Sequence, residues 1–505
     1  MNLGNSLLKN WLTLLGIVAS LGALFVFVLL VAVDFFLGHT NPHFSLLAYI
    51  AVPAVFVGGL CLIVAGLVLW YWLNNRPEEP GTGWTSWFKV KVPDLKVDLA
   101  KLSTWLVLLS LLVAVGVSGA VVTFAGYKVY VWSETDEFCG KLCHTTMEPM
   151  DVSHAHNPHA KVHCVDCHVG PGIEGYVYAK LNGTRQLYQN LTSTYRTPIP
   201  VPVSAMYGRM LDGKTMIEHT CMECHWNDRY IGQRGKTFTH YLRDEGDIKT
   251  VYRLSFNVGG VDPNDGSISG IHWHTAAGSK VEFVTEDNKR NGRVIWIRST
   301  TAKGDTKIFA RDEEEFDPDT QKLFTMTCLE CHNRPAHRYL SPVTTVDLAM
   351  ELGSLPLDLG ENIKLTVIDL LIGEYKTQAE AFEKIAEGMK EAYPDSDQLQ
   401  KATQTVQDIY RRNIFPEMKS TWEHYPDHLG HKESEGCSRC HNKYMEDQED
   451  WDPIINDCQE CHIIQAQYKE GEWDESDPNG LDYEHPDGER QRNISTCVTC
   501  HIGTY

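Results

Sequence analysis

Three long apolar runs near the N-terminus and seven compact cysteine–histidine motifs beyond them predict the fold. It is three transmembrane helices followed by an exported region, mostly α-helical or irregular, with a small β-rich insertion. The motifs constrain the most. Cys-x-x-Cys-His occurs six times in 505 residues: Cys164, Cys167 and His168; Cys221, Cys224 and His225; Cys328, Cys331 and His332; Cys437, Cys440 and His441; Cys458, Cys461 and His462; Cys497, Cys500 and His501. A seventh, Cys139-Gly-Lys-Leu-Cys143-His144, has one extra residue between its cysteines. Chance supplies about 0.02 copies of the regular pattern in such a chain.

Two thiols at this spacing attach to the vinyl groups of a haem, and the adjacent imidazole reaches the iron. Zinc half-sites and redox dithiols also use paired cysteines, but neither needs a histidine after every second one. Fourteen of the fifteen cysteines belong to motifs and the last, Cys61, lies in an apolar run, so disulfides are not expected. The fold class is thus a membrane-anchored multihaem cytochrome c with seven covalent haem c groups. The porphyrins would supply much of its core.

The apolar runs are Trp11–Gly38, Leu46–Leu73 and Leu102–Trp132, each longer than the ~20 residues that span hydrocarbon. No small-residue cleavage site follows a short apolar core, so the first reads as an uncleaved anchor. The loop after the second run carries Arg76, Lys89, Lys91, Lys96 and Lys101, whereas the loop between the first two has no Lys or Arg. The positive-inside rule puts the 74–101 loop in the cytoplasm and every motif on the outer side. Bacteria attach haem c on that side. The expected location is the bacterial inner membrane, multi-pass, with the haem region in the periplasm.

Composition divides the chain into five segments. Residues 1–101 hold two membrane helices and the cytoplasmic loop; 102–235 hold the third helix and haems 1–3. The β-rich insertion is 236–315, where Tyr252–Val258, Lys280–Thr285, Arg293–Ser299 and Thr306–Ala310 are β-type runs and Asn291-Gly292 is a hairpin signal. Residues 316–420 carry haem 4 and helices, with helical spacing over Ala379–Ala392 and Asp397–Arg412; 421–505 carry haems 5–7. The formal charge of −21 excludes nucleic-acid binding through a basic surface. Glu433, Glu435, Glu446, Asp447, Glu449, Asp450, Glu470, Glu472, Asp474 and Glu475 surround the last motifs and suit a basic partner.

Thirteen histidines on the exported side lie outside the motifs: His154, His156, His159, His163, His219, His240, His272, His274, His337, His424, His428, His431 and His485. They suffice to give every haem a second axial ligand. The candidates are His159, His240, His272, His274, His337, His428, His431 and His485 beside the motif histidines His144, His168, His225, His332, His441, His462 and His501. Six-coordinate iron leaves no place for substrate and favours an electron wire. Met147, just beyond the irregular motif, is a further candidate ligand and would distinguish haem 1.

The stretch 102–230 resembles the NapC/NirT/NrfH family of membrane-anchored quinol dehydrogenases. One anchor helix precedes Phe138-Cys139…Cys143-His144-x-x-Met147, then His159-Ala-Lys-Val-x-Cys164-Val-Asp166-Cys167-His168-Val. The whole layout is similar to the inner-membrane heptahaem cytochromes of metal-reducing bacteria (ImcH type). Gly270-Ile-His272-Trp-His274 and Cys331-His332-Asn-Arg-Pro-Ala-His337 resemble segments of larger multihaem relatives. The resemblance implies menaquinol or ubiquinol as substrate, menaquinol being the expected one, and a quinol site at Lys180, with Met147 beside haem 1. Where the family has an acidic residue two turns beyond the lysine, this chain offers Gln186 and Leu187.

The expected function is oxidation of menaquinol at the periplasmic face and electron transfer through seven haems to small periplasmic cytochromes, in anaerobic or extracellular respiration. The competing readings are a multihaem terminal reductase of nitrite or a sulfur compound, and a passive conduit fed by another membrane subunit.

Overall fold

A computed structural model describes residues 11–37, 44, 47–74, 102–169, 172–200, 215–226, 229–242, 246–311, 316–432, 434–455, 457–469, 471–474, 476–484 and 490–491. The lysine-bearing loop, His39, His43, His485 and the last regular motif at Cys497, Cys500 and His501 lie outside them. The chain forms two compact units, Met1–His144 and Thr145–Tyr505.

The first unit is built on α1 (Trp11–Leu37), α2 (Val52–Asn74, entered through a short turn at Leu47–Ala51) and α3 (Leu102–Trp132). Trp11–Val33 and Leu47–Leu69 are long and apolar enough to cross a membrane. The third expected span coincides with α3, several of whose side chains lie outside the described set. α1 and α2 run antiparallel and meet at small residues: a Cβ on Gly16 would stand 2.6 Å from the carbonyl oxygen of Gly59. Ser20 Oγ donates to the Phe56 carbonyl at 3.3 Å, satisfying a polar group in an apolar setting. Ala23, Phe27, Ala48, Tyr49, Val52, Phe56 and Ala125 form the buried seam, so α3 joins the pair.

The second unit starts with α4 (His144–Ala155), α5 (Cys164–His168), α6 (Gly172–Leu191) and α7 (Met216–Cys224). Two sheets follow. In the first, β1 (Gly232–Leu242), β2 (Ile248–Val261), β9 (His462–Lys469) and β10 (Glu472–Trp473) pair in that order, with β3 (Ile268–Ser269) on β2. In the second the order is β7 (Phe324–Thr325), β4 (Lys280–Thr285), β5 (Val294–Thr300), β6 (Thr306–Arg311) and β8 (Met445–Asp447). β11 (Tyr483–Glu484) and β12 (Arg490–Gln491) form a separate two-stranded ribbon.

The four β-type runs read from sequence fall in strands, except that Arg293 precedes β5. However, β8 and β9 come from the last haem segment and complete both sheets, so that segment is woven into the β region. β1 is polar along most of its length and six consecutive residues are exposed, which hides it from hydropathy. The Asn291-Gly292 pair lies inside a longer loop, not at a two-residue turn. Pairing ends where Glu286 N–H donates to Arg293 O at 3.0 Å, and Asn288 takes the positive φ of 56°.

The helical part comprises α8 (Pro342–Glu351), α9 (Ile363–Leu371), α10 (Gln378–Ala392) and α11 (Leu399–Asn413). Its starts are chemically marked: Ser341 Oγ accepts from Thr344 N, with Pro342 in the first turn, and Thr377 Oγ1 accepts from Glu380 N. Val346, Val367, Ile368, Ala381, Ile385, Ala402 and Val406 interlock in its core, each fully enclosed. Ile385→Ala should cost about 2–5 kcal/mol. Chemical denaturation of the haem-loaded chain, followed by far-UV circular dichroism, checks this, and a loss below 1 kcal/mol would show that the helices repack.

Candidate functional site

Each described regular motif is folded as a single helical turn or close to it, which turns both sulfurs to one side and carries the histidine to the next position. The amide of His225 donates to Cys221 O, that of His332 to Cys328 O, both at 2.8 Å, and that of His441 to Cys437 O at 3.0 Å. Local caps start these turns. Thr327 Oγ1 accepts from Leu329 N, and Asp457 accepts from Gln459 N ahead of the turn α12 (Cys458–Cys461).

Cys167, Cys221, Cys224, His225, Cys328, Cys331, His332, Cys437, Cys440, His441, Cys458, Cys461 and His462 line one cavity of about 2710 Å³. An ordinary ligand pocket is about 300–1,000 Å³, so the space matches several large flat groups and not one. Its walls combine apolar residues such as Phe283, Val294, Ile297 and Phe309 with Arg229, Arg234, Lys236, Arg338 and Lys432, cations suited to haem propionates. Burial pushes the Cys331 thiol up to about 12 and those of Cys440 and Cys461 to about 11. No group of three or more His, Cys, Asp or Glu among the described residues could hold a metal ion as a cluster, and none of the thirteen described cysteines is disulfide-bonded.

The histidines pair. His225 and His159 have ring centres 6.1 Å apart, His168 and His337 6.1 Å, His441 and His274 5.7 Å, His462 and His431 6.1 Å. An imidazole nitrogen lies about 2 Å from a bound metal, so two rings on opposite sides of one iron stand about 6 Å apart. The residues present fit haem c with two axial imidazoles. His337 is also 6.0 Å from His154, which competes for the same partner. His272 lies close enough to His332 for their charges to interact.

Ring orientation is held from behind. His159 Nδ1 is 2.9 Å from Pro335 O, His274 Nδ1 2.7 Å from Ile271 O and His337 Nδ1 3.1 Å from Met150 O. His428 Nδ1 is 3.3 Å from Glu330 O, and His441 Nδ1 contacts Ile455 O. Protons on Nδ1 leave Nε2 as a lone-pair donor. Burial holds His337, His428 and His462 neutral, pushed down to about 4, with neighbouring His168, Arg439 and His431 respectively as the next cause. The turn Ile271–Thr275 bearing His272 and His274 depends on glycine: Gly259 and Gly260 have φ of 69° and 116°, and a Cβ on either would collide with Ser269 O or Arg229 O.

The irregular motif follows α3 through a capped turn, in which Thr135 Oγ1 donates to Trp132 O at 2.7 Å and Phe138 packs edge-on to Trp132 at 4.8 Å. His144 opens α4 and Met147 comes one turn later. Lys180 lies on α6 with its Nζ 4.9 Å over the Tyr176 ring. Gln186, six residues on, points about 120° away from Lys180, whereas Leu187 shares its face. Lys180 borders a stripe of exposed apolar residues, including Ile173 at 83%, Leu181 at 68% and Leu191 at 75%.

Sequence reasoning counted Asp447 in an acidic surface. It is 2% exposed and bonded to Lys307 Nζ at 3.0 Å, because β8 carries it into the second sheet. Glu433, Glu470 and Glu475 lie outside the described residues. Reasoning from sequence also missed Asp347 and Lys364, which stand behind His240 and leave no local signature.

Residues 101–238 match the N-terminal region of the NapC/NirT cytochrome c family. The cytochrome c-type protein ImcH of Geobacter sulfurreducens is 30% identical over 520 aligned residues, covering 98% of this chain and 95% of that protein. The chain belongs to the same cytochrome c-type family as ImcH, and its residues 101–238 form a NapC/NirT-type N-terminal region. The resemblance read from Phe138 to His168 is thus borne out, and this cytochrome carries covalent haem c and serves electron transport at a membrane. No solved structure matches it.

Proposed function

We propose that this NapC/NirT cytochrome oxidises menaquinol at the periplasmic face of the inner membrane and passes the electrons through seven haems to small periplasmic cytochromes. The family supports quinol oxidation. The single observation that carries the wire reading is the set of four histidine pairs at 5.7–6.1 Å, three of which line one cavity. In this reading α3 is the third membrane span, and the haem region is periplasmic.

When bound, the haems supply one-electron redox chemistry at iron. The chain does the rest. Cys139 and Cys143, with the six regular cysteine pairs, hold the groups covalently. His225 with His159, His168 with His337, His441 with His274 and His462 with His431 would hold four of the irons, and His272 with His332 would hold a fifth. His144 or Met147 would hold haem 1, and His240, His428 and His485 are the candidates for the positions still open, including that opposite His501. Lys180 donates a hydrogen bond to a quinol oxygen and steadies its charge as the proton leaves. The exposed stripe on α6 accepts the apolar part of the molecule. Gln186 faces another side of α6 and is tested beside it.

Paramagnetic resonance of the oxidised chain distinguishes this from a terminal reductase. Low-spin signals from the haems of the exported unit are expected, with full reduction by a menaquinol analogue. A high-spin haem that binds nitrite or a sulfur oxyanion would overturn the wire.

A further inference from the structure

We propose that Asp347 is a positioning residue that holds an iron-ligating His240 in one tautomer and lowers the reduction potential of the haem it ligates. The inference rests on the multihaem reading above and deepens it at one site.

β1 places His240 on the cavity wall. Its Nδ1 lies 2.8 Å from Asp347 Oδ2. The other carboxylate oxygen is 2.7 Å from Lys364 Nζ and accepts from Tyr241 N at 3.1 Å. Lys364 is fully enclosed, Asp347 is 6% exposed, and Lys364 Nζ also donates to Tyr241 O at 2.6 Å. Lys364 Nζ stands 3.2 Å from His240 Nδ1 as well, so two tautomers compete. The lysine already has two strong acceptors, and the shorter contact from Nδ1 is to an anion. The proton therefore sits on Nδ1 and points at Asp347. Nε2 is left with its lone pair and no protein partner among the described residues.

His159, His274 and His337 instead place Nδ1 against neutral backbone carbonyls. A carboxylate behind the ring makes the imidazole a stronger donor and favours the oxidised metal. Lys364 moderates that effect, since it shares the same carboxylate. It also explains how an anion is tolerated there, because a buried charge needs a bonded partner. The three residues come from β1, α8 and α9, so the helical core reaches the haem cavity through them.

The test uses the full-length, haem-loaded chain in a spectropotentiometric titration. Asp347→Asn keeps an oxygen for Nδ1 and removes the charge; one haem should shift to higher potential with haem content unchanged. Lys364→Met leaves the carboxylate with His240 and the Tyr241 amide, without its neutralising cation, and the same haem should shift lower. If Lys364→Met does not accumulate, the double variant with Asp347→Asn, neutral at both positions, must show the upward shift. Opposite shifts in the single variants support the proposal. No shift in Asp347→Asn, or shifts of one sign in both, as general loosening produces, overturns it. His240→Met separates the layers: loss of one bis-imidazole resonance signal shows ligation by His240. Retention of every such signal overturns this inference and leaves quinol oxidation, judged by the rate of reduction with a quinol analogue, untouched.

Discussion

Lys180→Ala should slow reduction of the haems by a menaquinol analogue about a hundredfold or more, the scale at which a positioned proton-handling group acts. Reduction by dithionite and haem content should stay as in the wild type, since neither needs a quinol site. The lysine sits where an amphiphilic substrate needs a polar contact beside an apolar one, at the edge of the exposed stripe of Ile173, Val177, Leu181, Tyr188 and Leu191. Its neighbour Tyr176 steadies the ammonium from one side without neutralising it. Gln186→Leu belongs in the same experiment: a comparable loss makes the Gln186 amide a hydrogen-bond partner of the quinol, and a wild-type rate removes it from the site. Wild-type rates in Lys180→Ala would move the quinol site to Asp34, His39 and His43, whose side chains lie outside the described residues.

The intact mass should exceed the polypeptide by seven haems, and Cys139→Ser combined with Cys143→Ser should leave six. A wild-type mass of six, with Cys139 and Cys143 open to alkylation, would refute a haem at the irregular motif. Blocking attachment altogether has a larger effect. The cavity of about 2710 Å³ has apolar walls and thirteen motif side chains around it, and protein interiors do not stay open on that scale. The surrounding sheets and turns should lose protection from proteolysis, while a fragment containing 342–413, with its own core, should persist. Full protection of 221–332 in haem-free protein would show that the polypeptide alone closes the space.

How much was legible depends on distance along the chain. The motif turns, the helices of 378–392 and 399–413 and the strand Lys280–Thr285 carry their signals within a few residues: caps, periodic apolar positions, paired cysteines. β9 escaped notice because it starts on a motif histidine and lies in acidic, turn-rich sequence, and its partner β2 is some 200 residues earlier. Removing everything from Cys437 onward is therefore not a clean test of where electrons leave: it strips β8 and β9 from the two sheets.

The sequence by itself determined the cofactor chemistry, the two membrane-competent helices and the family, because covalent attachment and hydrophobic length are local properties of the chain. It also set the supply of histidines, but not their use. Which imidazole faces which was decided by the tertiary structure, through glycines that let β2 and the turn of His274 cross closely and through strands contributed from the last motifs. The pairing of His240 with Asp347 spans 107 residues and that of His159 with Pro335 spans 176. Such contacts leave no periodicity or spacing to read, since they exist only once separate elements pack against one another.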